Sequence, residues 1–238
     1  MWAVNVLPRI VKLGGMALDL LFPQACIGCG KEGGLLCIAC CRLLPRLTPP
    51  LCPRCGKPQS GDRLCPACAG GQMAIDGIRS PFRFMGVIRE AIHQLKYQNL
   101  RLLALPLARL MGDYFVTEPV PGEVLVPVPL HQKRMRERGY NQSSLLAQEL
   151  SNIIRVPVVE DCLIRNQYAL SQTKTMAVEQ RRNNVARAFA CRNRELAGKE
   201  VLLIDDVATS GATLNACAAT LKAAGAASVW GLVVAQEI

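Results

Sequence analysis

After residue 74, short apolar runs alternate with segments in which apolar residues recur every three or four positions. The short runs predict strands at 75–84 (broken at Pro81), 123–128, 156–159, 201–204 and 228–234. The longer period predicts helices at 86–95, 100–115 (interrupted at Pro106), 141–153 and 212–224. Strands that alternate with helices are typical of an α/β fold with a mostly parallel sheet.

The composition changes near residue 70, which divides the chain into three predicted segments. Residues 1–23 contain an amphipathic stretch, predicted to be a helix over 8–21. Residues 24–70 are rich in Cys, Gly, Pro and Arg and have little material for an apolar core, so a bound metal is expected to hold them together. Residues 71–238 form the α/β domain. No apolar run at the start of the chain is long enough to span a bilayer, and we expect no secretory signal there.

Nine of the twelve cysteines lie between Cys26 and Cys68, and eight of these form Cys-x2-Cys pairs. This spacing places two sulfurs on one metal, and four thiolates close a tetrahedral Zn²⁺ site with no open position. We therefore predict two structural zinc sites. Their ligands are, in the first block, Cys26, Cys29, Cys37 and Cys40, and in the second block, Cys52, Cys55, Cys65 and Cys68.

Several features of the cysteine region remain open at the level of sequence. Sequential pairing of the Cys-x2-Cys motifs is the simplest arrangement, and interleaved pairing is the alternative. Cys41 is adjacent to Cys40 and could take its place. An iron–sulfur cluster or a set of disulfides could also use these cysteines, although the absence of a secretory signal favours a reducing compartment and argues against disulfides.

The segment 201–213 carries the densest chemistry in the chain. An apolar strand ends in two acids, a loop of small residues follows, and a helix begins. Ligands of parallel sheets bind at the carboxyl ends of strands, where this loop lies. Backbone amides, hydroxyls and the helix N-terminus suit a phosphate group. The candidate ligand-binding residues of this segment are Asp205, Asp206, Val207, Ala208, Thr209, Ser210, Gly211, Ala212 and Thr213.

The two acids next to this anion cradle would repel a phosphate, but they can accept hydrogen bonds from vicinal hydroxyls. A 5-phosphorylated ribose presents both groups, so Asp205 and Asp206 are predicted to hold its hydroxyls, directly or through Mg²⁺. The simpler alternative is an acidic N-cap on an ordinary crossover helix, which leaves the rest of the pattern unexplained.

These motifs resemble the ComF/GntX family, which joins cysteine-rich zinc ribbons to a type I phosphoribosyltransferase-like domain. The resemblance includes the 201–213 segment, both cysteine blocks and five further stretches: 21–23 (LFP), 92–97 (IHQLKY), 126–129 (VPVP), 138–143 (RGYNQS) and 181–189 (RRNNVARAF). It extends over nearly the whole chain. One departure lies at 168–172 (YALSQ): the family often has Thr-x-x-Gln here, and in this chain Gln172 aligns but the Thr is absent.

The resemblance implies a fold, a ligand and a set of site residues. The fold is a parallel sheet flanked by helices, and the ligand is 5-phosphoribosyl-1-pyrophosphate or a related phosphorylated ribose, bound with Mg²⁺. Asp205 and Asp206 would be the catalytic residues of an enzyme of this type. Candidate pyrophosphate contacts are Arg138, then Arg134, and Lys96. Residues 165–189 resemble a mobile flap.

The formal charge of +10 favours anionic partners, which include phosphorylated small molecules and nucleic acid. The family resemblance implies a role in natural competence: handling incoming single-stranded DNA with other proteins of the competence machinery, in the cytoplasm or at the inner face of the membrane. Two alternatives are an active phosphoribosyltransferase of nucleobase salvage or nucleotide metabolism, and a non-catalytic zinc-ribbon adaptor for DNA or protein.

Overall fold

The computed structural model describes residues 24–61, 63–71, 73–165 and 188–238. The chain divides into two compact units, Met1–Leu44 and Pro45–Ile238. The first unit contains the first cysteine block. The second cysteine block belongs to the same unit as the sheet, whereas the predicted domain boundary lies at residue 70. The predicted helix at 8–21 lies outside the described residues.

A parallel sheet forms the centre of the second unit. Its strands are β1 (Gly77–Arg79), β2 (Phe82–Arg83), β3 (Val124–Pro127), β6 (Glu200–Ala208) and β7 (Ser228–Gln236). They are ordered β1-β7-β6-β3, and β2 also pairs with β7 beyond the break at Pro81. β6 and β7 are the two longest and pair from Glu200–Ser228 to Ala208–Gln236, so both end at the same edge of the sheet.

A separate antiparallel pair consists of β4 (Leu163–Arg165) and β5 (Phe189–Cys191). These strands enclose most of the segment predicted to be a flap. Arg165 and Phe189, the first and last residues of that segment, face each other in register. Residues 166–187, which include the departure from the family pattern at 168–172, lie outside the described part of the chain.

Helices connect the strands and cover the sheet. Their bounds are α1 (Ile38–Arg42), α2 (Pro66–Ala69), α3 (Gly86–Tyr97), α4 (Ala104–Thr117), α5 (Gln132–Arg138), α6 (Gln142–Ile154) and α7 (Ala212–Ala223), with a 3₁₀ turn at Arg101–Leu103 before α4. None of the helices within the described ranges combines the length and the apolar content that a membrane span requires.

The apolar periodicity explains how the helices are anchored. In α3 the residues Ile88, Ala91, Ile92 and Leu95 are buried, as the period of three to four predicts. Helices α4 and α6 approach closely at Gly112, where an added methyl group would lie 2.8 Å from Cγ2 of Ile153. The strands β3, β6 and β7 are buried on both faces, which matches their continuous apolar sequences.

Three elements differ from the sequence-based prediction. Pro106 does not interrupt a helix, because it is the third residue of α4, in the first turn, where no amide partner is needed. Residues 156–159 form no full strand, and Val158 makes only an isolated parallel bridge to Leu125. Helix α5 was not predicted as an element, and it contains no buried residue that would produce an apolar period.

Candidate functional site

Two clusters of four cysteines come from the two blocks. In the first unit the sulfurs of Cys26, Cys29, Cys37 and Cys40 lie within 4.8 Å of one another, and in the second unit those of Cys52, Cys55, Cys65 and Cys68 do the same. The pairing is therefore sequential, and Cys40 rather than Cys41 completes the first set. Four sulfurs about 2.3 Å from one Zn²⁺ lie about 3.8 Å apart. The 3.7 Å separations of Cys29–Cys37 and Cys55–Cys65 fit that tetrahedron.

Backbone amides point at the sulfurs of both clusters. The amide of Cys37 donates to Sγ of Cys26 at 3.3 Å, and that of Cys65 donates to Sγ of Cys52 at 3.4 Å. Burial alone raises the pKa of Cys26 and Cys52, but the backbone hydrogen bonds outweigh it and lower the pKa of each thiol to about 6. The thiolate form, which binds metal, is thus favoured at neutral pH. The two clusters fit two zinc ribbon sites.

The two acids of the 201–213 segment occupy the carboxyl end of β6. Oδ1 of Asp205 accepts a hydrogen bond from the hydroxyl of Ser143 at 2.8 Å and another from the amide of Asp206 at 2.9 Å. Ser143 is in the first turn of α6, so this helix fixes the direction of the carboxylate. Burial and the adjacent Asp206 raise the pKa of Asp205, although the Ser143 hydrogen bond acts against them.

Asp206 is almost completely buried and is paired with Lys96. The lysine Nζ lies 2.8 Å from Oδ1 of Asp206, and the exposed fractions of the two side chains are 21% and 3%. Oδ2 of Asp206 is buried and has no hydrogen-bond partner within the described ranges. A buried carboxylate oxygen without a partner is rare, so this atom is a candidate acceptor for ligand hydroxyls or a cation.

After the acids, the chain turns into α7 through a loop of small residues. Gly211 adopts the left-handed conformation with φ of +76° and caps α7, so a larger residue would be strained there. Thr209, Ser210 and Ala212 are exposed, which leaves this helix end accessible to a ligand. The loop thus combines open hydroxyls with the positive end of a helix dipole.

A cavity of about 390 Å³ contains the three candidate pyrophosphate contacts among its lining residues, which are Lys96, Tyr97, Asn99, Arg134, Glu137, Arg138 and Tyr140. Arg138 stacks over the ring of Tyr97 and donates a hydrogen bond to Gln142. The hydroxyl of Tyr140 donates to the carbonyl of Leu95, which ties the end of α3 to the segment after α5. Lys96 is therefore shared between this cavity and Asp206.

Residues 17–69 match the family described as the double zinc ribbon domain, and residues 141–236 match the phosphoribosyl transferase domain. Competence protein F of Haemophilus influenzae is 30% identical over 227 residues, which are 89% of this chain and 97% of the relative. The chain belongs to the ComF family. Two further members are the competence protein ComFC of Bacillus subtilis, 28% identical over 83% of this chain and 82% of its own length, and the DNA utilization protein YhgH of Escherichia coli K12, 29% identical over 82% and 87%.

The sheet order and the phosphoribosyl transferase match establish the expected fold for this ComF protein. Among solved structures, glutamine phosphoribosylpyrophosphate amidotransferase from B. subtilis is 20% identical with a TM-score of 0.38. That likeness covers 54% of this chain and 26% of the larger one.

The structure brings together most of the site residues that the ComF sequence predicted. Asp205 to Thr213 are contiguous at one edge of the sheet: the acids lie near the carboxyl end of β6, Thr209 to Gly211 form the loop, and Ala212 and Thr213 begin α7, while Arg134, Arg138 and Lys96 line one cavity. Sequence reasoning missed Ser143 and the pairing of Lys96 with Asp206. The pattern RGYNQS contains Ser143, but only the fold places its hydroxyl against an acid 62 residues away.

Proposed function

We propose that this ComF protein binds 5-phosphoribosyl-1-pyrophosphate with Mg²⁺ at the carboxyl end of β6. The observation that carries the proposal is the buried, unpartnered Oδ2 of Asp206, as judged within the described residues, next to the open loop that begins α7. An acceptor oxygen beside an anion cradle matches a ribose hydroxyl beside a 5-phosphate.

Different residues of the site are proposed to bind different groups of the ligand. The amides and hydroxyls from Thr209 to Thr213 would bind the 5-phosphate, and the two acids would bind the ribose hydroxyls. Carboxylate oxygens are also the ligands that Mg²⁺ prefers, and a bound cation would offset the repulsion that raises the pKa of Asp205. Mg²⁺ supplies positive charge to the diphosphate when it is bound.

The basic cavity is the proposed location of the pyrophosphate group. Arg134, Arg138 and Lys96 line it, and guanidinium groups pair well with phosphate oxygens. Lys96 can serve the ligand in two ways: by direct contact with the pyrophosphate, or by neutralising Asp206. Binding of 5-phosphoribosyl-1-pyrophosphate and of ribose 5-phosphate to Lys96→Met separates the two roles. If the lysine contacts the pyrophosphate, the substitution weakens the binding of 5-phosphoribosyl-1-pyrophosphate only.

The first experiment is a calorimetric titration of zinc-loaded protein with 5-phosphoribosyl-1-pyrophosphate and Mg²⁺. We expect micromolar binding, and its loss in the double variant Asp205→Asn/Asp206→Asn. Asp113→Asn removes an exposed carboxylate on α4 and is the matched control. Absence of binding by folded wild-type protein refutes the proposal.

We further propose that the protein takes part in handling single-stranded DNA, which its relatives' names, competence protein and DNA utilization protein, support. Helix α5 carries Lys133, Arg134, Arg136 and Arg138, of which the first three are exposed.

Fluorescence anisotropy with a labelled oligonucleotide tests this proposal. Binding should weaken steeply with salt as phosphate contacts are lost. Arg136, which does not line the cavity, gives the discriminating variant: Arg136→Ala should weaken DNA binding and leave 5-phosphoribosyl-1-pyrophosphate binding unchanged.

A further inference from the structure

The second cysteine block makes direct hydrogen bonds to β1 and β7, and β7 pairs with β6, the strand that leads into the phosphate loop (residues 208–213). The amide of Ile78 donates to the carbonyl of Arg54 at 2.7 Å, and the side-chain amide of Gln236 donates to the carbonyl of Cys55 at 2.7 Å. The guanidinium of Arg79 donates to the carbonyl of Pro53 at 2.9 Å. These three carbonyls belong to the first Cys-x2-Cys turn of the block, so the metal-binding turn itself is attached to β1 and β7.

Two of the residues that make these contacts, Gln236 and Ile78, also lie next to the phosphate loop. Gln236 pairs in register with Ala208, the last residue of β6, and the amide of Glu237 donates to the carbonyl of Ala208 at 2.9 Å. A methyl group built on Gly211 would lie 3.0 Å from Cδ1 of Ile78. Gln236 and Ile78 therefore contact the metal-binding turn on one side and the loop on the other.

The fit between the turn and β1 leaves no spare room. A methyl group on Gly56 would lie 2.4 Å from the carbonyl oxygen of Ile78. Gly30 occupies the matching position in the first cysteine block and has the same φ of +72°, yet a methyl group added there would meet no atom of the described residues within 4 Å. The close approach is thus particular to the second block and does not follow from the shape of the turn. Gln236 is 1% exposed, so its hydrogen bond to Cys55 is protected from water.

We propose that the second zinc ribbon positions the phosphate loop, with Gln236 as the positioning residue. The metal at Cys52, Cys55, Cys65 and Cys68 fixes the turn, the turn fixes Gln236 and Ile78, and these hold Ala208 and Gly211. Binding of metal and of ligand are then linked, and linkage acts equally in both directions. The ligand half of the inference rests on the function proposed above.

Calorimetry with 5-phosphoribosyl-1-pyrophosphate and Mg²⁺ tests the effect on the ligand. Gln236→Leu replaces the side chain by an apolar one of broadly similar size and removes the hydrogen bond, and we expect binding to weaken about three- to ten-fold, the range of one neutral hydrogen bond. Gly56→Ala displaces the turn and should weaken it at least as much. Gly30→Ala imposes the same left-handed strain in the first block and should leave the affinity unchanged.

Competition for zinc with a chromogenic chelator tests the reverse direction. At equilibrium, saturating ligand should raise the zinc affinity of one of the two sites and leave the other unaffected, because linkage acts on binding free energies. In Gln236→Leu this ligand effect should shrink, a result that a merely structural glutamine would not produce. If the wild type binds ligand and the zinc affinities of both sites stay unchanged, the inference is overturned, whether or not the variants fold.

Hydrogen exchange without ligand separates this inference from the proposed function. Amides of 208–213 should exchange faster in Gly56→Ala than in Gly30→Ala. Faster exchange in a protein that binds no ligand would retain the positioning role and refute the proposed function. Equal exchange in a protein that does bind ligand would refute the positioning role alone.

Discussion

The ion pair between Lys96 and Asp206 offers a quantitative test of the site's electrostatics. At 2.8 Å and an effective dielectric constant of about 20, Coulomb's law gives about 6 kcal/mol of gross attraction. Desolvation offsets much of it, and removing one partner of a buried pair costs about 3–5 kcal/mol. Because Lys96 retains some contact with solvent, we expect Lys96→Met to lower the free energy of unfolding by about 3 kcal/mol at pH 8.

The reciprocal variant should cost less. Asp206→Asn removes the negative charge that repels Asp205, and Lys96 can extend to water, so the expected loss is about 1 kcal/mol. In the double variant the charge of Asp206, which Lys96→Met alone leaves without its partner, is removed. The stability loss of the double variant should therefore be smaller than the sum of the single losses, with a coupling of about 2 kcal/mol.

The cost of Lys96→Met should also depend on pH. Burial and the adjacent Asp206 raise the pKa of Asp205, and the charge of Lys96 counteracts them, so in Lys96→Met the carboxyl of Asp205 takes up a proton at higher pH in the folded state than in the unfolded chain. The folded variant then binds more protons than the unfolded chain, so its stability falls as the pH rises through that window. The deficit relative to wild type should be largest at pH 8 and shrink toward pH 5.

Urea unfolding followed by far-ultraviolet circular dichroism, in zinc-saturated reducing buffer from pH 5 to 8, measures these quantities. Lys199→Met is the matched control, because Lys199 pairs with Glu123 at 4.0 Å and both side chains are about half exposed. That variant should lie within about 0.5 kcal/mol of wild type. A pH-independent deficit for Lys96→Met, or none at all, contradicts the proposed electrostatics.

Three further predictions concern the metal, the acids and the sheet. Cys52→Ser should reduce bound zinc from two equivalents to one by elemental analysis, whereas Cys162→Ser, outside both clusters, should retain two. The raised pKa of Asp205, about 7, leaves its carboxyl largely protonated at pH 6, so calorimetric affinity for the Mg²⁺-bound ligand should rise from pH 6 to 8 and flatten in Asp205→Asn. Gly77→Ala places a methyl group 2.2 Å from the ring of Trp230 and should lower the free energy of unfolding by about 2 kcal/mol. The measurement is the urea midpoint, which should be lower than in the wild type.

Local patterns in the sequence were sufficient to predict the elements that carry the site. The apolar run before Asp205 and Asp206 predicted a buried strand, and small residues after it predicted the turn into α7. Cysteine spacing predicted both metal sets, although their sequential pairing needed the fold. Helix α5 was missed because its residues are polar and exposed, so no apolar period marks it. Pro157 deprives the segment 156–159 of an amide donor, which disfavours the predicted strand there.

The contacts that organise the site join residues far apart in the chain. A motif assigns Lys96 to the pyrophosphate, and that role stays a prediction. Its contact with Asp206 spans 110 residues and has no local signal. Gln236 is similar: a polar residue at the end of an apolar strand is expected to face solvent, yet this one is buried against the carbonyl of Cys55.

The position of β7 in the sheet has a consequence for synthesis on the ribosome. This strand lies between β1 and β6 but follows every other strand of the sheet in chain order, and β1 meets it about 150 residues after its own synthesis. At roughly 5–20 residues per second, β1 waits on the order of ten seconds without its partner. During that time Phe82 and Ile78, both fully buried in the finished fold, are open to chaperones or to other nascent chains. The central sheet is therefore expected to assemble late, in a single step that begins when β7 emerges from the exit tunnel.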